Sequence, residues 1–296
     1  MMFNSQEVSD IDQIIDRAIE QNPHSTDILK AFQPIIARQR NLAASTELKK
    51  LDYSAIDQEK FKAGVPVIKQ MSLFSLDESE SLRKIVLSLA TAVKKGLPAM
   101  VEGIDHLCGL IQKGKLNPGD YFAGYPDSDN KLMKRWVEEL QISEETWLFL
   151  LNLTARVVLE NRAKEITEYL GDVEWDKGYC PICGEFPTIA LIEEDGGKRF
   201  LHCNSCGHQW RFTRVLCPYC ENDAKEGMDY YYIENKTQES AFICQKCKKY
   251  LVTLYRTGSL FTRDMDISAM SLIHLDMLMQ DKGCEPMTSC AWNILK

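Results

Sequence analysis

Eight of the eleven cysteines in this 296-residue chain fall in four C-x-x-C pairs: Cys180 with Cys183, Cys203 with Cys206, Cys217 with Cys220, and Cys244 with Cys247. A C-x-x-C in a tight turn aims two sulfurs at one ion, and two such turns joined by a hairpin supply the corners of a tetrahedron. Pairing in chain order leaves 19 residues between Cys183 and Cys203 and 23 between Cys220 and Cys244, and both intervals suit a ribbon-type hairpin. An interleaved pairing, first with third, would make the second pair close a longer loop across another module. Chain-order pairing is favoured, with the interleaved one left open.

Such pairs in a reducing compartment are metal ligands more often than disulfides. Four thiolates suit zinc and rubredoxin-type iron alike, so ligand type does not separate the two metals. A closed four-sulfur shell has no position left for water or substrate, which makes a scaffold the first expectation for each site. A thioredoxin-like role would need a βαβ setting and an unliganded pair, and neither is evident. Gly184 and Gly207 directly follow the first two knuckles, where a positive φ lets backbone N–H groups point at sulfur. Glu221 and Lys248 stand at those positions in the second half, so less regular knuckles are expected there.

His202 and His208 flank the second pair, but four cysteines already complete each set, so packing or hydrogen bonding is expected of both. His106, Cys108 and His274 fall on expected helices and read as buried side chains, while Cys284 and Cys290 are too far apart for a knuckle and read as free thiols. Trp210, Phe212 and Tyr230 to Tyr232 can form an aromatic surface, although alternation on strands should bury every other one. No phosphate-binding glycine loop, nucleophile elbow or zinc-protease helix signature is present.

The elements that must position the cysteines differ sharply on either side of Gly171. Before it, apolar residues recur at three and four, predicting helices over Asp10–Glu20, Asp27–Ala44 (capped by Ser25 or Thr26), Ser79–Lys95 and Pro98–Lys113. Two more are expected over Asp129–Leu140 and from Ser143 to Leu170, the last with Trp147, Leu151, Thr154, Val158 and Ile166 on one face. This pattern predicts a bundle that buries one stripe per helix.

After Gly171 come hairpin signals: TIALI and RFLH around a turn from Glu194 to Gly197, then MDYYYI and SAFI around Asn235 to Gln238. Each half opens with C-P-x-C, crosses its hairpin, meets a second C-x-x-C and enters an apolar strand, Trp210–Val215 or Leu251–Tyr255. The expected fold is therefore α plus small β. It comprises a helical domain (1–171), two tandem metal modules (172–215 and 216–262), and a C-terminal helix over Ile267–Gln280 with a tail (263–296). A ribbon region of this size buries little apolar surface, whereas a structural zinc site contributes roughly 10–16 kcal/mol in small peptides, so metal is part of its fold.

Composition narrows the partners. A net charge of −8 and 26% charged residues argue against broad electrostatic attraction to nucleic acid, and residues 172–256 hold 11 Lys and Arg against 13 Asp and Glu. No apolar run approaches the ~18–20 residues of a membrane helix, so no stable membrane insertion is expected. The acidic N-terminal stretch does not resemble a secretory signal, and a cytoplasmic protein is expected.

The strings GYCPICGEFPTIALI, LHCNSCGHQWRFTRVLCPYC and CQKCKKYLVTLY closely resemble the formate dehydrogenase accessory protein (FdhE) family across roughly residues 171–283. The resemblance implies a helical domain followed by tandem rubredoxin-like metal modules in a cytoplasmic, non-enzymatic protein. Such a protein would serve formate dehydrogenase maturation by contacting the catalytic subunit. It also implies a ligand role for Cys180, Cys183, Cys203, Cys206, Cys217, Cys220, Cys244 and Cys247, with two ions per chain, iron being the family's metal and zinc a ready substitute. A rubredoxin-type redox carrier and a zinc-ribbon nucleic-acid binder are the alternatives. Within the tail CEPMTSCAWNILK, Cys284 and Cys290 have no counterpart in the family pattern, and the oligomeric state is not legible.

Overall fold

The computed structural model describes residues 11–126, 130–193, 197–223, 225, 227–234, 236–256 and 264–293. The expected helix starts Asp10 and Asp129, turn residues Glu194 to Gly196, Asn235 and the module boundary at 262 lie outside the described residues.

The first half is helical: α1 (Ile11–Gln21), α2 (Thr26–Ser45), α3 (Gln58–Lys62), α4 (Ser79–Gly96), α5 (Val101–Gln112), α6 (Pro118–Phe122), α7 (Asn130–Leu140) and α8 (Glu144–Leu170). Single 3-10 turns precede α2, α4 and α5, and they change the capping. Neither Ser25 nor Thr26 caps α2 with its side chain; each hydroxyl instead donates back into the turn, to the carbonyls of Asn22 and Pro23. Ser143 does cap α8, accepting from the Thr146 N–H, and Gly171 ends that helix at φ 58°.

α8 departs from the one-stripe expectation. Trp147, Leu151, Thr154, Val158 and Ile166 are buried, but so are Leu150, Arg156, Val157 and Arg162 around the rest of the helix. It forms the axis of the bundle, packed against α2 and α4 on one side and the metal region on another. Burying Arg162 is tolerable because its guanidinium meets the Glu78 carboxylate at 2.6 Å and the Lys49 carbonyl at 2.8 Å.

The second half is one mixed sheet: β1 (Ile189–Glu193), β2 (Arg199–His202), β3 (Gln209–Phe212), β4 (Met228–Tyr232), β5 (Glu239–Cys244), β6 (Lys249–Arg256) and β7 (Glu285–Pro286). Spatial order is β3-β2-β1-β6-β5-β4, with β7 on β6. Each repeat contributes an antiparallel three-stranded unit, and the two join through parallel pairing of β1 with β6, Ile189 opposite Val252. The single C-terminal helix expected over Ile267–Gln280 is two, α9 (Met265–Ser271) and α10 (Ile273–Asp281). Leu272, at ψ 16°, breaks the run so that α9 follows the bundle and α10 covers β5 and β6. Asp264 caps α9, accepting from the N–H groups of Asp266 and Ile267. No helix is long and apolar enough to cross a membrane among the described residues.

Candidate metal centres

The sheet brings the eight paired cysteines into two tetrads in chain order, Cys180, Cys183, Cys203 and Cys206, then Cys217, Cys220, Cys244 and Cys247, with the sulfurs of each within 4.8 Å of one another. In the first tetrad Cys180 stands 3.5 Å from Cys206, and Cys183 stands 3.4 Å from Cys203 and 3.7 Å from Cys206. In the second, Cys217 to Cys247 is 3.8 Å and Cys220 to Cys244 is 3.6 Å. Four sulfurs held ~2.3 Å from a central zinc stand about 3.8 Å apart. A disulfide would need about 2.05 Å. The donor sets therefore fit a tetrahedral thiophilic ion and not a cross-link.

All four knuckles share one backbone plan. The N–H of the residue after each pair donates to the carbonyl of its first cysteine: Gly184 to Cys180, Gly207 to Cys203, Glu221 to Cys217 and Lys248 to Cys244, at 2.8–2.9 Å. All four take positive φ, including Glu221 at 57° and Lys248 at 60°. The expected irregularity of the second pair of knuckles is thus not seen. The turn dictates the conformation, and the non-glycine residues accept a strain of roughly 1–2 kcal/mol each.

Thiols so placed resist ionising unless something compensates. Burial pushes Cys180 up, while Cys203 is drawn well down, against its burial, by hydrogen bonds from Cys180, Cys183 and Cys206. In the second tetrad burial pushes Cys247 up to about 11, whereas Cys244 is lowered, against burial, by the N–H groups of Cys247 and Lys246. A divalent cation among four such sulfurs would favour the charged form of all of them.

What surrounds the tetrads differs. The first is wholly buried and fastened to the bundle: Val67 and Ile68 donate their N–H groups to the carbonyls of Pro181 and Ile182 inside the first knuckle, both at 2.9 Å. Behind the second knuckle, Arg156 of α8 donates to the carbonyls of Cys203 (3.2 Å) and Asn204 (2.9 Å) and to the Asp266 carboxylate (2.8 Å). Asp266 also takes Arg40 of α2 at 2.6 Å and His202 at 2.7 Å. Sequence reasoning missed Arg156, Arg40 and Asp266; the short-range pattern offers no signal for partners 110 residues apart.

The second tetrad leaves Cys220 and Cys247 half-buried. It rests on the first module: a Cβ at Gly178 would lie 1.9 Å from the Pro218 carbonyl oxygen, so only glycine admits that knuckle. Arg199 of β2 donates to the Leu216 carbonyl just ahead of Cys217, at 2.6 Å.

The remaining expected residues fall outside both tetrads. His202 hydrogen-bonds Asp266 and His208 stacks on Trp210, as packing residues should. His106 is exposed, not buried, with its Nε2 2.9 Å from the Leu140 carbonyl oxygen, because α5 turns that face to solvent at the start of the α7–α8 loop. Cys108 and His274 are part-buried, and Cys284 and Cys290 are free thiols. Trp210 and Phe212 are core, whereas Tyr230 and Tyr232 are exposed.

A family model described as the central domain of FdhE matches residues 179–214, which span the first tetrad. A protein described as an FdhE homologue from Aquifex aeolicus is 27% identical over 278 residues, covering 89% of this chain and 87% of its own length. The FdhE protein of Salmonella paratyphi A is 33% identical over 108 residues, a match spanning 36% of this chain and 34% of that protein. The crystal structure of the FdhE protein from Pseudomonas aeruginosa shares the fold, with a TM-score of 0.59 over 93% of this chain and 92% of that one, at 18% identity.

Proposed function

We propose, from its similarity to FdhE proteins, that this chain is a member of that family and a cytoplasmic, non-enzymatic accessory factor in formate dehydrogenase maturation that binds the enzyme's catalytic subunit. The observation that carries the reading is the pair of closed sulfur tetrads. Four protein donors leave an ion no open position, so the chemistry such an ion supplies is cross-linking of the fold. Cys180, Cys183, Cys203 and Cys206 hold one ion, and Cys217, Cys220, Cys244 and Cys247 the other, with iron as the family metal and zinc as its substitute. The chain then works as a helical domain (1–171) carrying two metal modules (172–215 and 216–262), whose ordered surface receives the partner, and a C-terminal segment (263–296).

Capture of purified catalytic subunit, run beside metal analysis and circular dichroism, tests this. The pair of substitutions Cys203→Ser and Cys206→Ser should empty the first tetrad and weaken capture while most helical signal remains. Undiminished capture by metal-depleted protein would move the interaction to the helices. Formate-dependent dye reduction by protein free of dehydrogenase would contradict the non-enzymatic reading. The half-buried sulfurs of Cys220 and Cys247 favour a second reading, a rubredoxin-type electron carrier. A reversible one-electron titration of iron-loaded protein distinguishes it.

A further inference from the structure

We infer that the outer edge of β4 is a strand-addition site for an extended segment of a protein partner, one that alternates apolar or aromatic residues with carboxylates. In naming the formate dehydrogenase catalytic subunit as the probe, the inference rests on the accessory reading above.

The edge follows from the hydrogen-bond ladder. β4 ends the sheet, and among the described residues only β5 pairs with it. The N–H of Gln245 donates to the Gly227 carbonyl at 3.0 Å, one register step before the Met228–Cys244 pair. Antiparallel ladders alternate, so Asp229 with Ile243 and Tyr231 with Ala241 exchange the next bonds. The N–H and C=O groups of Met228, Tyr230 and Tyr232 therefore point away from the sheet. Edge strands are ordinarily blunted by proline, lysine or a bulge. β4 has none of these in its MDYYY sequence. The carboxylate of Asp229, its one charge, is engaged by Gln245.

Side chains specify the occupant. Tyr230 packs on Phe242 across the ladder, at 5.6 Å between rings, and stays 37% exposed; Tyr232 on the same face is 63% exposed. An incoming strand would set its apolar residues beside these rings. Tyr231 faces the other way, into an open cleft of about 420 Å³ lined by Ile243, Lys248, Lys282 and Cys284. The Lys282 ammonium lies 5.1 Å from the Tyr231 ring, and Lys248 donates to the Gln245 amide oxygen at 2.6 Å; neither meets a carboxylate among the described residues. Residues of the added strand on that face meet two ammonium groups, so carboxylates complement them.

Amide hydrogen exchange on the full, metal-loaded chain, with and without purified catalytic subunit, reads the edge directly. Binding should slow exchange at Met228, Tyr230 and Tyr232 and leave Asp229 and Tyr231, already bonded to β5, unchanged. Tyr230→Pro removes an outward N–H without touching the β5 ladder, and Lys282→Glu reverses the charge in the cleft. Each should keep wild-type metal content and circular dichroism while capture weakens roughly tenfold, as expected for losing one or two good polar contacts. Capture by wild type with no alternating protection, or undiminished capture by Tyr230→Pro, overturns the inference and leaves the accessory reading standing.

If wild type captures no subunit, the accessory reading falls and a capped peptide of alternating valine and glutamate becomes the probe. Protection of the same three amides by that peptide supports the edge, and none overturns it. Concentration-dependent protection without any partner would give the edge to a second copy of the chain and overturn the stated occupant.

Discussion

The first tetrad is enclosed by protein and tied through Arg156, Val67 and Ile68 to helices far away in sequence, whereas the second has two half-buried sulfurs and rests on the first through Gly178 and Arg199. Both use the same knuckle, so the contrast shows how little the ligand motif determines about a site's place in the molecule. The first site is a joint between two halves. The second is an outpost on the sheet, next to an open edge.

The contrast breaks most visibly if either tetrad is emptied. Cys203→Ser with Cys206→Ser should lower the thermal midpoint of the helices as well as the sheet, because it releases the knuckle that Arg156 holds. Cys244→Ser with Cys247→Ser should leave the helical transition close to wild type. A structural site of this kind is worth roughly 10–16 kcal/mol in small peptides, so even part of that should be plain in calorimetry. Equal shifts for the two double variants would abolish the distinction.

A smaller effect is expected from Arg156→Met. It removes one guanidinium from a buried cluster and leaves Asp266 with Arg40 and His202 alone. Breaking a buried pair from one side costs about 3–5 kcal/mol, with the lower end expected here because Arg40 stays. Urea unfolding should show that loss, and chelator-driven release should quicken from the first tetrad only.

The smallest effects sharpen the comparison at the knuckles. Glu221→Gly and Lys248→Gly should each relieve roughly 1–2 kcal/mol of left-handed strain and slow metal release from the second tetrad. Gly207→Ala should act in the opposite sense at the first, since its new Cβ would also lie 2.7 Å from the Arg156 guanidinium. Metal-release kinetics of the three variants would check the signs.

These differences also mark what was legible in the sequence. C-x-x-C spacing is local, so the four pairs could be read directly, as could the helices whose apolar period is regular, while the spacing favoured chain-order grouping and left the interleaved one open. Arg156 and Arg162 could not, because a long polar side chain on a helix reads as a solvated face, and their partners Asp266 and Glu78 come from distant segments. Leu272 carries neither proline nor glycine chemistry, so the break between α9 and α10 is imposed by packing against both halves. Glu221 and Lys248 misled for the converse reason: side-chain preference is a weak signal where a sulfur-binding turn demands positive φ. The parallel pairing of β1 with β6, which fuses the repeats into one sheet, leaves no short-range trace at all.

The most direct test of the account is stepwise chelation of anaerobically purified protein, with metal content and absorption edges followed together. Two ions per chain are expected, each in a four-sulfur shell, with the ion of the second tetrad leaving first and the thermal midpoint of the helices falling only with the departure of the other. A single shared ion, disulfides in place of metal, or loss of both ions in one step would contradict it.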